Sequence, residues 1–134
     1  MKDIQIASTK NSPSITYNNK EGILLIKGVC HPENVKEVFN PVFEWFNYLP
    51  QQKHLLPNQE IKVVFSFRYL NSASLKHVAM LLQKMNEVSK AGISISVEWQ
   101  YEEEDEDMKE TCIELFSFMD LSLVYKVVPI PYEK

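Results

Sequence analysis

Short apolar segments open the chain, and two of them flank a turn that is typical of a β-hairpin. Ile15–Tyr17 and Ile23–Ile26 are separated by residues rich in Asn, Lys and Gly, which predicts two paired strands. Beyond Pro32 the apolar positions recur every three or four residues, which predicts a helix. Because Pro41 lies inside this pattern, we expect either a kink or a second helical piece capped by Asn40.

A strand and a long helix are predicted next. In residues 61–67, apolar side chains occur at both odd and even positions, which point to opposite faces of a strand. We therefore expect a central strand that is covered on both faces. A helix is predicted from Ser72 to Lys90, and Gly92 ends it. The buried stripe predicted for this helix is Leu75, Val78, Ala79, Leu82 and Met85.

The last third of the chain continues the order of strand followed by helix. Residues 93–99 alternate between apolar and polar side chains, which predicts a strand with one buried face. A third helix follows an acidic run, and Leu123–Val128 is the last predicted strand, ended by Pro129 and Pro131. The third helix is predicted to turn Met108, Cys112, Leu115, Phe116 and Met119 inward.

The order of these elements predicts an α/β fold. Right-handed crossovers make successive strands parallel neighbours, and we expect the hairpin to extend the same sheet. The prediction is one domain over residues 1–134, with a mixed sheet, an N-terminal hairpin followed by β-α-β-α-β, and three main helices.

Composition excludes several classes of protein. The 134 residues carry a net charge of −4 without a basic cluster, so we expect no nucleic-acid binding. No apolar run approaches the ~20 residues that span a bilayer, and no signal peptide is visible, so we predict a cytoplasmic protein with no membrane insertion. Cys30 and Cys112 form no paired motif, and the three glycines form no phosphate-binding loop, so we expect no metal and no cofactor.

The segment Tyr69–Lys76 joins a central strand to a helix and carries the most informative local chemistry. Asn71 is a candidate N-cap, with Ser72 at the first helical position. A phosphate on Ser72 would lie at the positive end of the helix dipole, with Lys76 one turn away. The same residues are also typical of an ordinary capped helix, and the chemistry alone does not separate Ser72 from Ser74.

The acidic run Glu102–Asp107 has two interpretations. Negative charge at the start of a helix complements the helix dipole, which favours a solvated cap. Six carboxylates can also bind a divalent cation, and a small metal- or ligand-binding enzyme is therefore an alternative function.

Six short stretches spread over nearly the whole chain form an ordered set: Thr9–Pro13, Gly28–Asn34, Pro41, Trp45, Tyr69–Ser74 and Trp99–Met108. Together and in this order they resemble the SiaC family of bacterial regulatory phosphoproteins. That family is similar in fold to the STAS domain of anti-sigma-factor antagonists. His31 departs from the pattern, because the family usually has Tyr there.

This resemblance implies a non-enzymatic protein in a partner-switching cycle. It implies Ser72, directly after Asn71, as the phosphate acceptor, with Ser74 as the second candidate. It also implies three protein partners: a Ser/Thr kinase of the histidine-kinase-like ATPase type, a PP2C-type phosphatase, and a diguanylate cyclase that the unphosphorylated form activates, which raises cyclic di-GMP and favours biofilm formation.

The resulting hypothesis places partner binding on the first turn and the outer face of the helix that begins at Ser72. Phosphorylation adds charge and bulk there and switches binding off. The alternative within the same fold is an anti-sigma-factor antagonist that acts on transcription. The predicted partner-binding residues are Asn71, Ser72, Lys76, His77 and Met80.

Overall fold

A single six-stranded sheet organises the protein in a computed structural model, which describes residues 3–132. The strands lie side by side in chain order; the first three are antiparallel and the last four run parallel. This confirms the predicted mixed α/β fold with an N-terminal hairpin. The strands are β1 (Gln5–Ile6), β2 (Ser14–Asn18), β3 (Ile23–Cys30), β4 (Glu60–Leu70), β5 (Ser94–Glu102) and β6 (Val124–Ile130).

Three helices connect the parallel strands: α1 (Val35–Tyr48), α2 (Ser72–Ser89) and α3 (Glu106–Phe118). Since β3 to β6 follow one another without a reversal of order, crossovers of one hand place all three helices on the same face. Trp45 of α1 packs on Tyr17 of that face, with ring centroids 4.9 Å apart. The Trp99 ring nitrogen of the same face donates a hydrogen bond to the Met108 carbonyl of α3 at 3.2 Å.

The prediction that residues 61–67 form a central strand is confirmed, because β4 lies between β3 and β5 and every one of these residues except Lys62 is buried. Phe65 and the other helix-facing positions lie under the helices. Val64 and Ser66 lie on the other face, which no described helix covers and which we call the open face of the sheet, and they are only 6% and 4% exposed. The cover therefore differs from a second helical layer, because on the open face it comes from side chains of the sheet itself.

An ionic cluster occupies this open face of the sheet. Glu98 of β5 bonds to Lys62 of β4 at 2.8 Å and to Lys126 of β6 at 3.4 Å. Gln100 adds a hydrogen bond to the same carboxylate at 2.7 Å. Burial raises the pKa of the Glu98 carboxyl, but the bonds from Lys62, Gln100 and Lys126 outweigh it and hold the pKa below its usual value.

Helix α1 is continuous, so the alternative of a second piece capped by Asn40 is wrong. Asn34 caps it by accepting a hydrogen bond from the Glu37 N–H at 3.3 Å, and Pro41 lies in its interior. The helix holds because its apolar face is fully engaged, which offsets the backbone bond that Pro41 removes. Its buried residues are Phe39, Val42, Trp45 and Phe46.

The C-terminal elements differ from the prediction at one proline. Pro129 does not end β6 but lies within it, opposite Tyr101. It is tolerated because β6 is an edge strand, where one side of the backbone needs no ladder partner.

The inward face predicted for α3 is confirmed. Met108 and Cys112 are buried in the core, and the remaining predicted residues are partly buried and packed against it: Leu115, Phe116 and Met119.

Helix α2 also buries a different set of residues from the predicted one. Val78, Leu82 and Met85 are buried as expected, but Leu75 and Ala79 are half-buried. Asn86 is buried instead, and its side-chain oxygen accepts hydrogen bonds from the backbone N–H and the hydroxyl of Ser122 at 2.8 and 3.0 Å. Within residues 3–132, no helix has the length and apolar character needed to cross a membrane.

Candidate functional site

The start of α2 is fixed against the ends of two parallel strands. Directly after β4, the Asn71 N–H donates a hydrogen bond to the Cys30 carbonyl at the end of β3, at 3.1 Å. The Asn71 side-chain oxygen accepts from the Ser74 N–H at 2.9 Å. This confirms Asn71 as the N-cap and makes Ser72 the first residue of the helix, at the edge of the sheet where α/β proteins place their sites.

The two serines of this turn lie in different environments. Ser72 is exposed, whereas Ser74 has 0% of its surface accessible to solvent. The Ser74 hydroxyl makes no hydrogen bond to a described nitrogen or oxygen atom and lies near the Cys30 thiol. Burial raises the pKa of Cys30, and the Ser74 hydroxyl opposes part of that rise. Only Ser72 therefore presents its hydroxyl to an enzyme without opening of the helix.

The backbone around Ser72 is electropositive. The first N–H groups of a helix have no carbonyl partner within it, and Asn71 satisfies only that of Ser74. The N–H groups of Ser72 and Ala73 thus add to the positive end of the dipole, and the exposed Lys76 lies one turn further along. An added phosphate would face these groups.

Two aromatic side chains flank the same edge of the sheet and were given no role by the sequence. The rings of His31 and Tyr69 meet edge-on with centroids 5.5 Å apart, and Tyr69 is 53% exposed. They come together because β3 and β4 end side by side, a proximity that only the strand register reveals.

The outer face of α2 is only partly available to a partner. Lys76 is exposed and Met80 is 48% exposed, as a docking surface requires. His77 is half-buried: its ring stacks on Phe39 of α1, with centroids 6.1 Å apart, and its Nδ1 lies 3.1 Å from the Ala73 carbonyl oxygen. His77 therefore joins α1 to α2 as much as it faces outward.

An apolar groove runs between α2 and α3, beginning one turn after Ser72. Its volume is about 820 Å³. Phe118 at the end of α3 is 94% exposed beside it, and the sequence analysis did not single this residue out. In the sequence, Phe118 is distinguished only by falling outside the predicted stripe of inward-facing residues of α3. We call this feature the α2–α3 groove; it is lined by Leu75, Lys76, Ala79, Met80, Gln83, Thr111, Glu114, Leu115, Ser117, Phe118 and Met119.

The acidic run caps α3. Asp105 accepts a hydrogen bond from the Met108 N–H at 3.2 Å, and Glu106 and Asp107 lie in the first turn. Glu102 instead belongs to β5 and bonds to Arg68 at 3.3 Å. Within residues 3–132, no three His, Cys, Asp or Glu side chains are grouped so that they could hold a metal ion.

Comparison with known protein families places this chain in one of them. The model of the SiaC family of regulatory phosphoproteins matches residues 6–127. The chain belongs to the SiaC family. An uncharacterized protein from Pseudomonas aeruginosa strain UCBPP-PA14 is 28% identical over 111 residues, which cover 82% of this chain and 84% of that protein.

Solved structures of SiaC from Pseudomonas aeruginosa share the fold. A chain of the crystal structure of the diguanylate cyclase SiaD in complex with its activator SiaC matches with a TM-score of 0.82 and 24% identity, over 96% of this chain and 100% of that one. SiaC alone matches with a TM-score of 0.80 and 24% identity, over 97% and 100%. The six-stranded sheet with three helices is thus the fold of the family.

Proposed function

We propose that this protein is a non-enzymatic regulator that binds and activates a diguanylate cyclase while Ser72 is unphosphorylated. A phosphate on Ser72 releases the cyclase. Family membership supports a regulatory role, and SiaC, which shares the fold, has been solved in complex with the cyclase that it activates. The observation that carries the proposal is the exposed hydroxyl of Ser72 at the first position of α2, two residues before the fully buried Ser74.

The proposed switch acts by charge at an interface. Ser72, Lys76 and Met80 lie on the outer side of α2, with Asn71 and His77 fixing the helix beneath them. A phosphoserine carries about −1.5 to −2 charges at neutral pH. Burying that charge against a partner without a counter-ion costs several kcal/mol by order of magnitude, and about 1.4 kcal/mol already lowers affinity tenfold.

The domain itself need not change shape for this switch. The phosphate would face the N–H groups of Ser72 and Ala73 and the Lys76 ammonium, which the helix already presents. The phosphorylated form therefore keeps its fold and loses only its partner. A Ser/Thr kinase of the histidine-kinase-like ATPase type and a PP2C-type phosphatase are the enzymes that we propose set the phosphate level.

The test compares two variants as bait in extracts of the native host. Ser72→Ala should capture a diguanylate cyclase and raise cyclic di-GMP synthesis by the purified cyclase, whereas Ser72→Asp should do neither. Equal capture and activation by both variants would refute the switch. Capture of an anti-sigma factor in place of a cyclase would instead support a role in transcription.

A further inference from the structure

His31 lies beside the start of α2. The parallel strands β3 and β4 end in register, with Cys30 opposite Leu70, so the next residues of the two strands, His31 and Asn71, are neighbours. The Asn71 N–H holds this arrangement by donating to the Cys30 carbonyl at 3.1 Å. Because adjacent strands lie about 5 Å apart, the His31 backbone is about one strand spacing from the residue that caps α2. Ser72 follows that residue directly.

The backbone of His31 is fixed, whereas its ring is available to a new partner. The His31 N–H donates to the Asn11 carbonyl at 2.9 Å, and the side chain is exposed. The ring meets Tyr69 edge-on, and within residues 3–132 its two nitrogens make no hydrogen bond or ion pair. His77 differs, because its Nδ1 already lies 3.1 Å from the Ala73 carbonyl oxygen. His31 can therefore turn either ring nitrogen toward an acceptor at this edge of the sheet.

The charges around His31 leave room for a strong anion. The segments next to His31 are the loop before β2, the start of α1, the end of β4 and the first turns of α2, and the charged or titratable side chains that they carry are Lys10, Glu33, Glu37, Tyr69, Lys76 and His77. Within the described chain, neither carboxylate forms an ion pair with His31. A phosphate on Ser72 would bring about −1.5 to −2 charges to this edge, which is more than either carboxylate carries.

We propose that His31 is a pH-dependent counter-ion for the phosphate on Ser72. The protonated ring leaves Tyr69 and donates an N–H to a phosphate oxygen, and Lys76 contributes a second, permanent charge. Histidine is the side chain whose charge ordinarily changes between pH 5 and 8, so the compensation is present in mild acid and is lost as the pH rises. This inference rests on the function proposed above and deepens it, because the charge that releases the cyclase then depends on pH.

Phosphorus NMR of the chain with phosphoserine incorporated at position 72 tests the contact from the side of the phosphate. A nearby cation favours the doubly charged phosphate, so His31→Gln should raise the midpoint of its second ionisation by about 0.5 pH unit. His31→Lys should keep the midpoint at or below the wild-type value, because the ammonium stays charged. His54→Gln is the matched control, since His54 is an exposed histidine of the 3-10 helix Leu49–Leu55, and it should leave the midpoint unchanged.

Proton NMR of the histidine ring tests the same contact from the other side. The midpoint of the His31 titration should move to higher pH by about one unit when serine is replaced by phosphoserine at position 72, because the phosphate favours the protonated ring. The His54 midpoint should not move. A purely structural role of His31 would alter the unfolding midpoint in His31→Gln without coupling the two titrations. Equal His31 midpoints in the two forms, together with a phosphate midpoint that His31→Gln leaves in place, would overturn the proposal.

Cyclase binding separates this proposal from the proposed function. The ratio of the affinities of the serine and phosphoserine forms should fall severalfold from pH 8 to pH 6 in the wild type, and less in His31→Gln and His31→Lys, where only the phosphate itself titrates. If the titrations are uncoupled while phosphoserine still releases the cyclase, His31 is not the counter-ion and the switch stands. If the titrations are coupled while the cyclase binds both forms equally, the contact stands and the switch fails.

Discussion

Ser72 and Ser74 lie two residues apart on the first turn of α2, but Ser72 is exposed and Ser74 is completely buried. The difference follows from helix geometry, since two residues rotate the side chain by more than half a turn. The Asn71 cap fixes where the helix begins and hence which serine faces solvent.

This relationship predicts opposite effects of a negative charge at the two positions. Ser74→Asp should lower the free energy of unfolding by about 3 kcal/mol or more, because the carboxylate would be buried without a partner. Ser72→Asp should leave stability unchanged or raise it by up to about 1 kcal/mol, through the helix dipole. Urea unfolding of both variants measures the difference, and equal losses would contradict the assignment of the exposed serine.

Phosphate in the native protein should be confined to Ser72. Protein isolated from its own cells should show an added phosphate in intact-mass spectra, and fragment spectra should place it on Ser72. Ser72→Ala should abolish the added mass, and Ser74→Ala should retain it because the Ser74 hydroxyl is inaccessible to a kinase. Phosphate that persists in Ser72→Ala and disappears in Ser74→Ala would reverse the assignment.

The cap of α2 should carry measurable stability. Asn71→Ala removes the acceptor of the Ser74 N–H and should cost about 1 kcal/mol in chemical unfolding. Asn47→Ala is a matched control, because Asn47 is exposed within α1 and alanine is the better helix former. Asn71→Ala should also slow phosphorylation of Ser72, since the first turn frays. Equal stability of the two variants would contradict the role of Asn71.

The ionic cluster on the open face predicts a defined pH dependence. The pKa of Glu98 is depressed in the folded protein, so its ionised form stabilises the fold above the unfolded pKa of about 4.3. That contribution is lost as the pH falls through the folded pKa. Glu98→Gln should therefore cost about 1 kcal/mol at pH 7, a modest value because water screens the exposed lysines.

The control for this prediction is the same comparison in acid. The gap between wild type and Glu98→Gln should shrink steadily below pH 4, where the wild-type carboxylate becomes protonated. A gap that stays constant from pH 7 to pH 3 would show that the substitution acts through packing and not through charge.

Local pattern was sufficient to predict the main helices and strands and the N-cap of α2, but not the two 3-10 helices Leu49–Leu55 and Pro57–Gln59 between α1 and β4. Asn71 before an apolar helix predicted both the cap and the first-turn position of Ser72, and the structure confirms both. The burial of Ser74 was not predicted, because the helical stripe was drawn through Leu75 and Ala79. The true stripe is rotated toward Val78 and Leu81, and only packing against α1 and the sheet determines that rotation.

Features that depend on neighbouring elements could not be predicted. The pairing of His31 with Tyr69 requires the register of β3 and β4. The α2–α3 groove requires two helices separated by β5, and Phe118 alone gives no sign of it in the sequence. One face of β4 lacks a helix because the order of the strands places all three helices on the other face, and residues 61–67 alone do not determine that order.

The most direct test of the central claim is the affinity of the purified cyclase for two forms of this chain, one with serine and one with phosphoserine incorporated at position 72. The account predicts tight binding and cyclase activation by the unmodified form, and at least a tenfold loss of both with phosphoserine, while circular dichroism and the unfolding midpoint stay the same. Equal affinity and equal activation by the two forms would contradict it.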